Sequence, residues 1–206
     1  MKGAEVVADI LRREGVDTLF CFPINPVIDT CALTGIRPVL ARTERTVVGM
    51  ADGYTRATNG RRTGVCVSQY GPGVENAFGG VAQAYSDSTP ILYMPAGQRQ
   101  ARLGSEPVFD AVKNFQYVTK WAARPNFVER LPEFLRRAFT YLRTGRPGPV
   151  LLELPMDVLG AVMGEADLDY QPVRGAKGMA DPADVRTAVK AIIAARLPVI
   201  HAGAGI

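Results

Sequence analysis

The chain has 206 residues, 47% hydrophobic and 21% charged, with a formal net charge of +4; this is an ordinary balance for one globular domain and part of another. No apolar run approaches the roughly 20 residues that cross a bilayer, and Glu5, Asp9, Arg12 and Arg13 break up what would be the core of a secretory signal. The basic residues come as scattered pairs (Arg12-Arg13, Arg61-Arg62, Arg136-Arg137) and not as a stripe, so neither membrane nor nucleic acid is expected as a partner.

In chain order, helical and strand-like segments alternate. "AEVVADILRREG" places Val7, Ile10 and Leu11 on one face and ends at Gly15. "DTLFCF" is a short buried-strand run stopped by Pro23. "NPVIDTCALTG" reads as a short helix, with Asn25 as its cap and Pro26 in its first turn. "RPVLAR" is a second strand, followed by a helix over residues 44–58, and "TGVCVSQY" is a third strand. A Gly-Pro-Gly turn then opens the helix of "GPGVENAFGGVAQAYSDS", and "PILYMPA" is a fourth strand. Residues 97–120 read as loop plus a short helix, and "TKWAARP" as a strand. "RLPEFLRRAFTYLRTG" is an amphipathic helix, and "RPGPVLLELP" a further strand.

Strand–helix alternation with apolar strands predicts an α/β domain: a three-layer, doubly wound, mostly parallel sheet with helices on both faces. That domain is expected to span residues 1–160. Residues 161–180, with mixed polarity and no sustained period, read as a linker. Residues 181–206 read as the incomplete beginning of a middle domain: a helix capped by Asp181, a strand "LPVIHAG", and then "GAGI". The chain is therefore expected to be the front part of something longer.

Cys21, Cys31 and Cys66 form no CxxC pair, and His201 is the single histidine. Buried free thiols, no metal site and a reducing, cytoplasmic setting are expected. In open parallel sheets, ligands lie beyond the carboxyl ends of the strands. "FPINP", "RTER", "QYGPG" and "PAGQR" all fall at such ends. Taken singly, each has an ordinary explanation. Glu44 suits the first turn of a helix, Gly71-Pro72-Gly73 suits a tight connector, and "HAGAGI" could open a dinucleotide fingerprint.

Four stretches together carry more: "FCFP", "RTERTVVGMADGYTRATNGR", "SQYGPGVENAFGGVAQAYSDSTPILYMPAG" and "RPGPVLLELPMDV". In order and spacing they resemble the N-terminal, pyrimidine-binding domain of thiamine diphosphate enzymes of the acetolactate synthase type. The resemblance implies thiamine diphosphate as cofactor, a 2-keto acid as substrate, and carboligation or decarboxylation as the chemistry. It implies that Glu44 hydrogen-bonds N1′ of the aminopyrimidine and favours the imino tautomer, whose N4′ takes the proton from C2 of the thiazolium ring. By the same carry-over, Pro23 borders the pyrimidine, and Gly71, Pro72, Gly73 and Asn76 pack along it.

Ile24, Asn25, Phe109 and Asp110 fall where the family builds its substrate pocket. At two of these places the chain departs from the acetolactate synthase pattern. Ile24-Asn25 stands for Gly-Gly, and Phe109-Asp110 stands for Phe-Gln. A carboxylate in place of an amide repels an anionic keto acid unless it is protonated or turned away. The family's Gly-Asp-Gly…Asn motif, which holds the diphosphate through Mg2+, is missing from these residues. The resemblance therefore implies Mg2+ bound by another domain, leaves FAD open, and implies a homo-oligomer (dimer or tetramer) or a complementary chain carrying the diphosphate-binding domain. On its own, this segment is expected to be inactive. The alternatives are a non-catalytic or split-subunit module that binds a partner chain, and a simple nucleotide-binding domain.

Overall fold

The described residues form eight short strands: β1 (Thr18–Cys21), β2 (Arg37–Leu40), β3 (Gly64–Val67), β4 (Ile91–Tyr93), β5 (Ala96–Gly97), β6 (Trp121–Ala123), β7 (Val150–Leu152) and β8 (Leu154–Pro155). Six of them make one sheet in the order β2-β1-β3-β4-β7-β6, and every pair in it is parallel. Just past the ends of β4 and β7, β5 and β8 form a second parallel pair. The computed structural model describes residues 1–105, 108–175 and 178–203. They fall into two units, Met1–Arg174 and Gly175–Ile206.

Alternation along each strand sorts its side chains into two cores. Val65 and Val67 of β3, Leu92 of β4, and Val150 and Leu152 of β7 point to one face. There they meet α1 (Gly3–Arg13), α2 (Val27–Leu33), α6 (Leu131–Arg143) and α7 (Met156–Gly160). Cys66, Tyr93 and Leu151 point to the other face, onto α3 (Glu44–Ala57), α4 (Pro72–Ser86) and α5 (Ala111–Phe115). The result is the three-layer doubly wound architecture that the alternation predicts. The three thiols are buried. Burial pushes the Cys31 thiol up to about 12 and the Cys66 thiol higher still, so neither is poised as a nucleophile.

The segment from Ala161 to Arg174, expected to be linker, belongs to the first unit. Lys2 bridges Val162, Met163 is buried, and Tyr170 is 1% exposed. The buried carboxylate of Glu14 collects the Tyr170 hydroxyl, the Arg143 guanidinium and the Val173 amide. The sequence pattern hides this because the segment packs as irregular chain, with no period to read. In the second unit, α8 (Pro182–Ala194) is capped by Asp181, which accepts from the Ala183 amide at 2.7 Å. The strand expected over residues 197–203 does not form among the described residues; a single strand has no ladder to join. Residues 204–206, the end of "HAGAGI", lie outside the described residues.

The layer of α3 on β3 is tied by Thr55, whose hydroxyl donates to Ala51 O and Pro90 O and accepts from the Gly64 amide at 2.8 Å. A Cβ on Gly64 would lie 2.0 Å from the Ala51 carbonyl oxygen. Gly64→Ala is therefore expected to destabilise the unit by about 3 kcal/mol, because backbone, not a movable side chain, has to give way. Urea denaturation of this variant beside wild type measures the loss; a loss under about 1 kcal/mol would show that the two backbones separate freely.

Candidate active site

The strand order sets where a ligand can enter. From β1 the chain moves outward to β2, then crosses back over β1 to β3. The carboxyl ends of β1 and β3 thus flank a topological switch point, where a crevice opens because successive connections leave toward opposite faces. Two helices begin at this rim. α3 starts at Glu44 with Thr43 as its cap, Oγ1 accepting from the Thr46 amide at 3.2 Å. α4 starts at Pro72 after Gly71, whose φ of +65° suits glycine.

Glu44 is 7% exposed, although it sits in a first turn, where most acids reach water. Its Oε2 accepts from Asn76 Nδ2 at 2.7 Å. A Cβ added at Gly73 would come within 3.2 Å of Glu44 Oε1 and 2.7 Å of Gln69 Cγ. Gly73 therefore lets the carboxylate lie directly against the start of α4. Val47, Val48, Ala51 and Val74 close off the side facing the core. Both helix N-termini present partial positive charge at the same rim, which favours a carboxylate there. Glu44, Gly71, Gly73 and Asn76 form one group, with exposed Pro72 at its edge.

Pro23 and Ile24 lie on the loop after β1 and are exposed, Ile24 at 73%. Asn25 faces inward instead. Its amide donates to Ser68 O and Met94 O, each at 3.2 Å, while its Oδ1 accepts from the Val27 amide at 3.0 Å. With all three groups committed, Asn25 holds the ends of β3 and β4 together and starts α2; it does not project into open space.

A second crossover produces a second crevice. β6 is laid down at the sheet edge, and β7 then returns between β6 and β4. At the rim of β4 and β7 lies a cavity of about 330 Å3, bordered by Tyr70, Gly71, Pro72, Gln98, Phe109 and Glu153 among others. Glu153, 4% exposed, is the residue that sequence reasoning missed. Its Oε2 accepts from Arg124 Nε at 2.8 Å and also from Nη2. The same Nη2 reaches Asp110 Oδ1 at 3.1 Å. Asp110 also caps α5, accepting from the Lys113 amide at 3.3 Å. Asp110 is thus turned toward Arg124 and the helix end, and the half-buried Phe109 beside it borders the cavity. A signal for Glu153 was present in "LLELP": an acid within a wholly apolar strand run needs a buried cation.

The Glu44 group would fit an aminopyrimidine in two respects. A nearly buried carboxylate keeps one oxygen, Oε1, that accepts no hydrogen bond among the described residues, and a glycine turn beside it leaves room that a Cβ would fill. Among the described residues no group of three or more His, Cys, Asp or Glu is placed to hold a metal, and no helix is long and apolar enough to cross a membrane.

Similarity to known proteins runs along the whole chain. Residues 1–119 match the family model for the thiamine pyrophosphate enzyme, N-terminal TPP binding domain. The whole chain is 36% identical to a probable acetolactate synthase large subunit of Methanocaldococcus jannaschii, covering 36% of that protein. It is 37% identical along its whole length to a glyoxylate carboligase of Escherichia coli O157:H7, again covering 36% of it. Over 76% of the chain it is 38% identical to acetolactate synthase 2, chloroplastic, of Nicotiana tabacum, covering 24% of that protein. The chain thus spans about a third of the length of the first two relatives.

Burial holds the Glu153 carboxyl above its ordinary range, against the opposing pull of Arg124, with Asp110 adding to the rise. The folded state therefore keeps its proton at a pH where the unfolded chain has released it. Stability should fall as pH rises from the unfolded carboxyl's pKa, about 4.3, to the higher folded value, by about 1.4 kcal/mol per pH unit between the two. Glu153→Gln removes that slope. Urea denaturation of both proteins from pH 4 to pH 7 should give curves that diverge with rising pH in favour of the variant; parallel curves would refute the assignment.

Proposed function

The chain belongs to the thiamine pyrophosphate enzyme family through its N-terminal TPP binding domain, and on that premise we propose that it is the pyrimidine-binding part of an enzyme that decarboxylates or ligates 2-keto acids. The observation that carries this reading is the buried Glu44 carboxylate, fixed by Asn76 and lying against Gly73. Acetolactate synthase and glyoxylate carboligase among its relatives support the substrate class.

When bound, thiamine diphosphate supplies the electron sink that a 2-keto acid needs to lose carbon dioxide or to join a second carbonyl. The residues of this chain supply orientation and a proton relay. Asn76 occupies Oε2 of Glu44 and so leaves Oε1 as the atom that would share a proton with a ring nitrogen of the cofactor. Gly71 and Gly73 allow a flat ring to approach the backbone closely, and Pro72 stiffens the turn that carries them. Val47, Val48 and Val74 keep bulk water from the core side of the carboxylate, which strengthens its hydrogen bonds. The Mg2+ and diphosphate are assigned to a separate domain, on the same polypeptide or on a partner. The exposed aromatic side chains of α4, Phe78 and Tyr85, support an interface with a second subunit on this face.

Glu44→Gln keeps shape and burial but removes the shared proton. In the intact protein it should lower turnover of a 2-keto acid by about 10²- to 10⁴-fold, with an unchanged thermal midpoint. Wild-type turnover in that variant would overturn the catalytic role and favour a partner-binding module. Replacing Phe78 and Tyr85 together by Asp should convert an oligomer to a smaller species in sedimentation velocity; an unchanged mass would place the interface elsewhere.

A further inference from the structure

The cavity beside Gly71 and Pro72 has one wall, Phe109, which directly precedes Asp110 at the start of α5. What fixes that wall is a chain of charged contacts. At the fixed end, Glu153 receives a backbone anchor of its own, its amide donating to Ala123 O at 2.9 Å. Gly97, at the end of β5, leaves room for the Glu153 side chain; a Cβ there would lie 2.9 Å from its Cγ. Arg124 follows directly on β6 and is held by Glu153 through two nitrogens on one oxygen. At the other end, Arg124 Nη2 grips Asp110, the residue after Phe109. Asp110 also begins α5, and its carbonyl oxygen accepts from both the amide and the side chain of Asn114. The Phe109 ring packs edge-on against Phe115 of the same helix, with centroids 6.4 Å apart. Sheet end, Arg124, Asp110 and Phe109 are thus one connected strut.

We propose that Asp110 and Arg124 are positioning residues: the hydrogen bond between them, and not the charge on Asp110, sets the Phe109 wall of the cavity and thereby the size of the carbonyl acceptor that the site admits. The proposal rests on the functional reading above and deepens it. It assigns to Asp110 a role through another side chain and not through contact with an anionic substrate. Two cations face its carboxylate, the Arg124 guanidinium at 3.1 Å and the Lys113 ammonium at 3.7 Å, so the repulsion that an acid at this place would exert on a keto acid is reduced. Conversely, the two carboxylates share a single guanidinium, which leaves the Arg124 cation no free charge to bind a substrate carboxylate.

The test uses the intact protein with pyruvate and 2-ketobutyrate as competing acceptors, which differ by one methylene. Asp110→Ala removes both the ion pair and the cap. It should shift the ratio of kcat/KM for the two acceptors by about fivefold or more toward the larger one, since a methylene in a fitted pocket is worth at least that much. Arg124→Lys keeps charge but loses the fork, and should shift the ratio in the same direction. Asp110→Asn keeps a capping and accepting oxygen and should stay within about twofold of wild type. Amide exchange over Ala111–Phe115 should quicken in Asp110→Ala and Arg124→Lys and not in Asp110→Asn. An acceptor ratio moved as far by Asp110→Asn as by Asp110→Ala would overturn the proposal, because the charge would then be facing substrate. If wild type turns over no 2-keto acid, the functional reading fails by itself, and the strut is decided by exchange; unchanged exchange in Asp110→Ala and Arg124→Lys overturns it in either case.

Discussion

The closeness of α3 and α4 governs the candidate site. A carboxylate can stay at a helix start without reaching water only if a second helix start lies on top of it. Glycine makes that possible twice. Gly73 brings the α4 backbone to Glu44, and Gly80, two turns on, meets Val48 with no room for a Cβ beyond about the 3.0 Å contact it would make. Between them Ala77 and Ala51 are fully buried. Small residues along this seam bring two positive helix ends and one negative side chain to a single place at the switch point of the sheet. The chemistry proposed for Glu44 follows from that proximity, because a carboxylate in open water would exchange partners freely and hold no fixed orientation.

The second crevice obeys the same electrostatic logic with the opposite sign of problem. Glu153 lies in a buried run between β7 and β8, where an isolated charge would be very costly. Arg124, just past the neighbouring strand β6, offsets that cost, and its Nη2 reaches Asp110 as well. A buried pair of this kind contributes little net stability, but it fixes a geometry. The geometry it fixes includes a wall of the cavity that adjoins the Gly71–Pro72 turn. The two crevices therefore meet at one rim: one fixes the candidate proton-sharing group, and the other shapes the space beside it.

Much of this architecture was legible in the sequence. "TGVCVSQY" and "PILYMPA" are apolar runs too short for helices, and they became β3 and β4. The amphipathic spacing around Phe134, Leu135, Ala138 and Phe139 became α6. Glu44 and the Gly-Pro-Gly turn stood out because each interrupts a regular element at a strand end. Other features were hidden. Residues from Ala161 to Arg174 carry no period, so their packing through Tyr170 and Glu14 left no trace in the pattern. Asn25 read as a helix cap and loop residue, and nothing in the pattern announced that its amide also reaches Ser68 and Met94, far away along the chain.

The sequence by itself determined the order of elements, the parallel sheet and the family, because these depend on local periodicity and on motifs read within a few dozen residues. Only the tertiary structure decided how the charges are paired. Asp110, Arg124 and Glu153 are separated by 14 and 29 residues, and no local rule links them. Their meeting depends on β7 being inserted between β4 and β6, a choice of strand order that brings distant carboxyl ends onto one rim. Burial then does the rest: away from water a carboxylate must find a cation, and the strand order determines which cation is within reach.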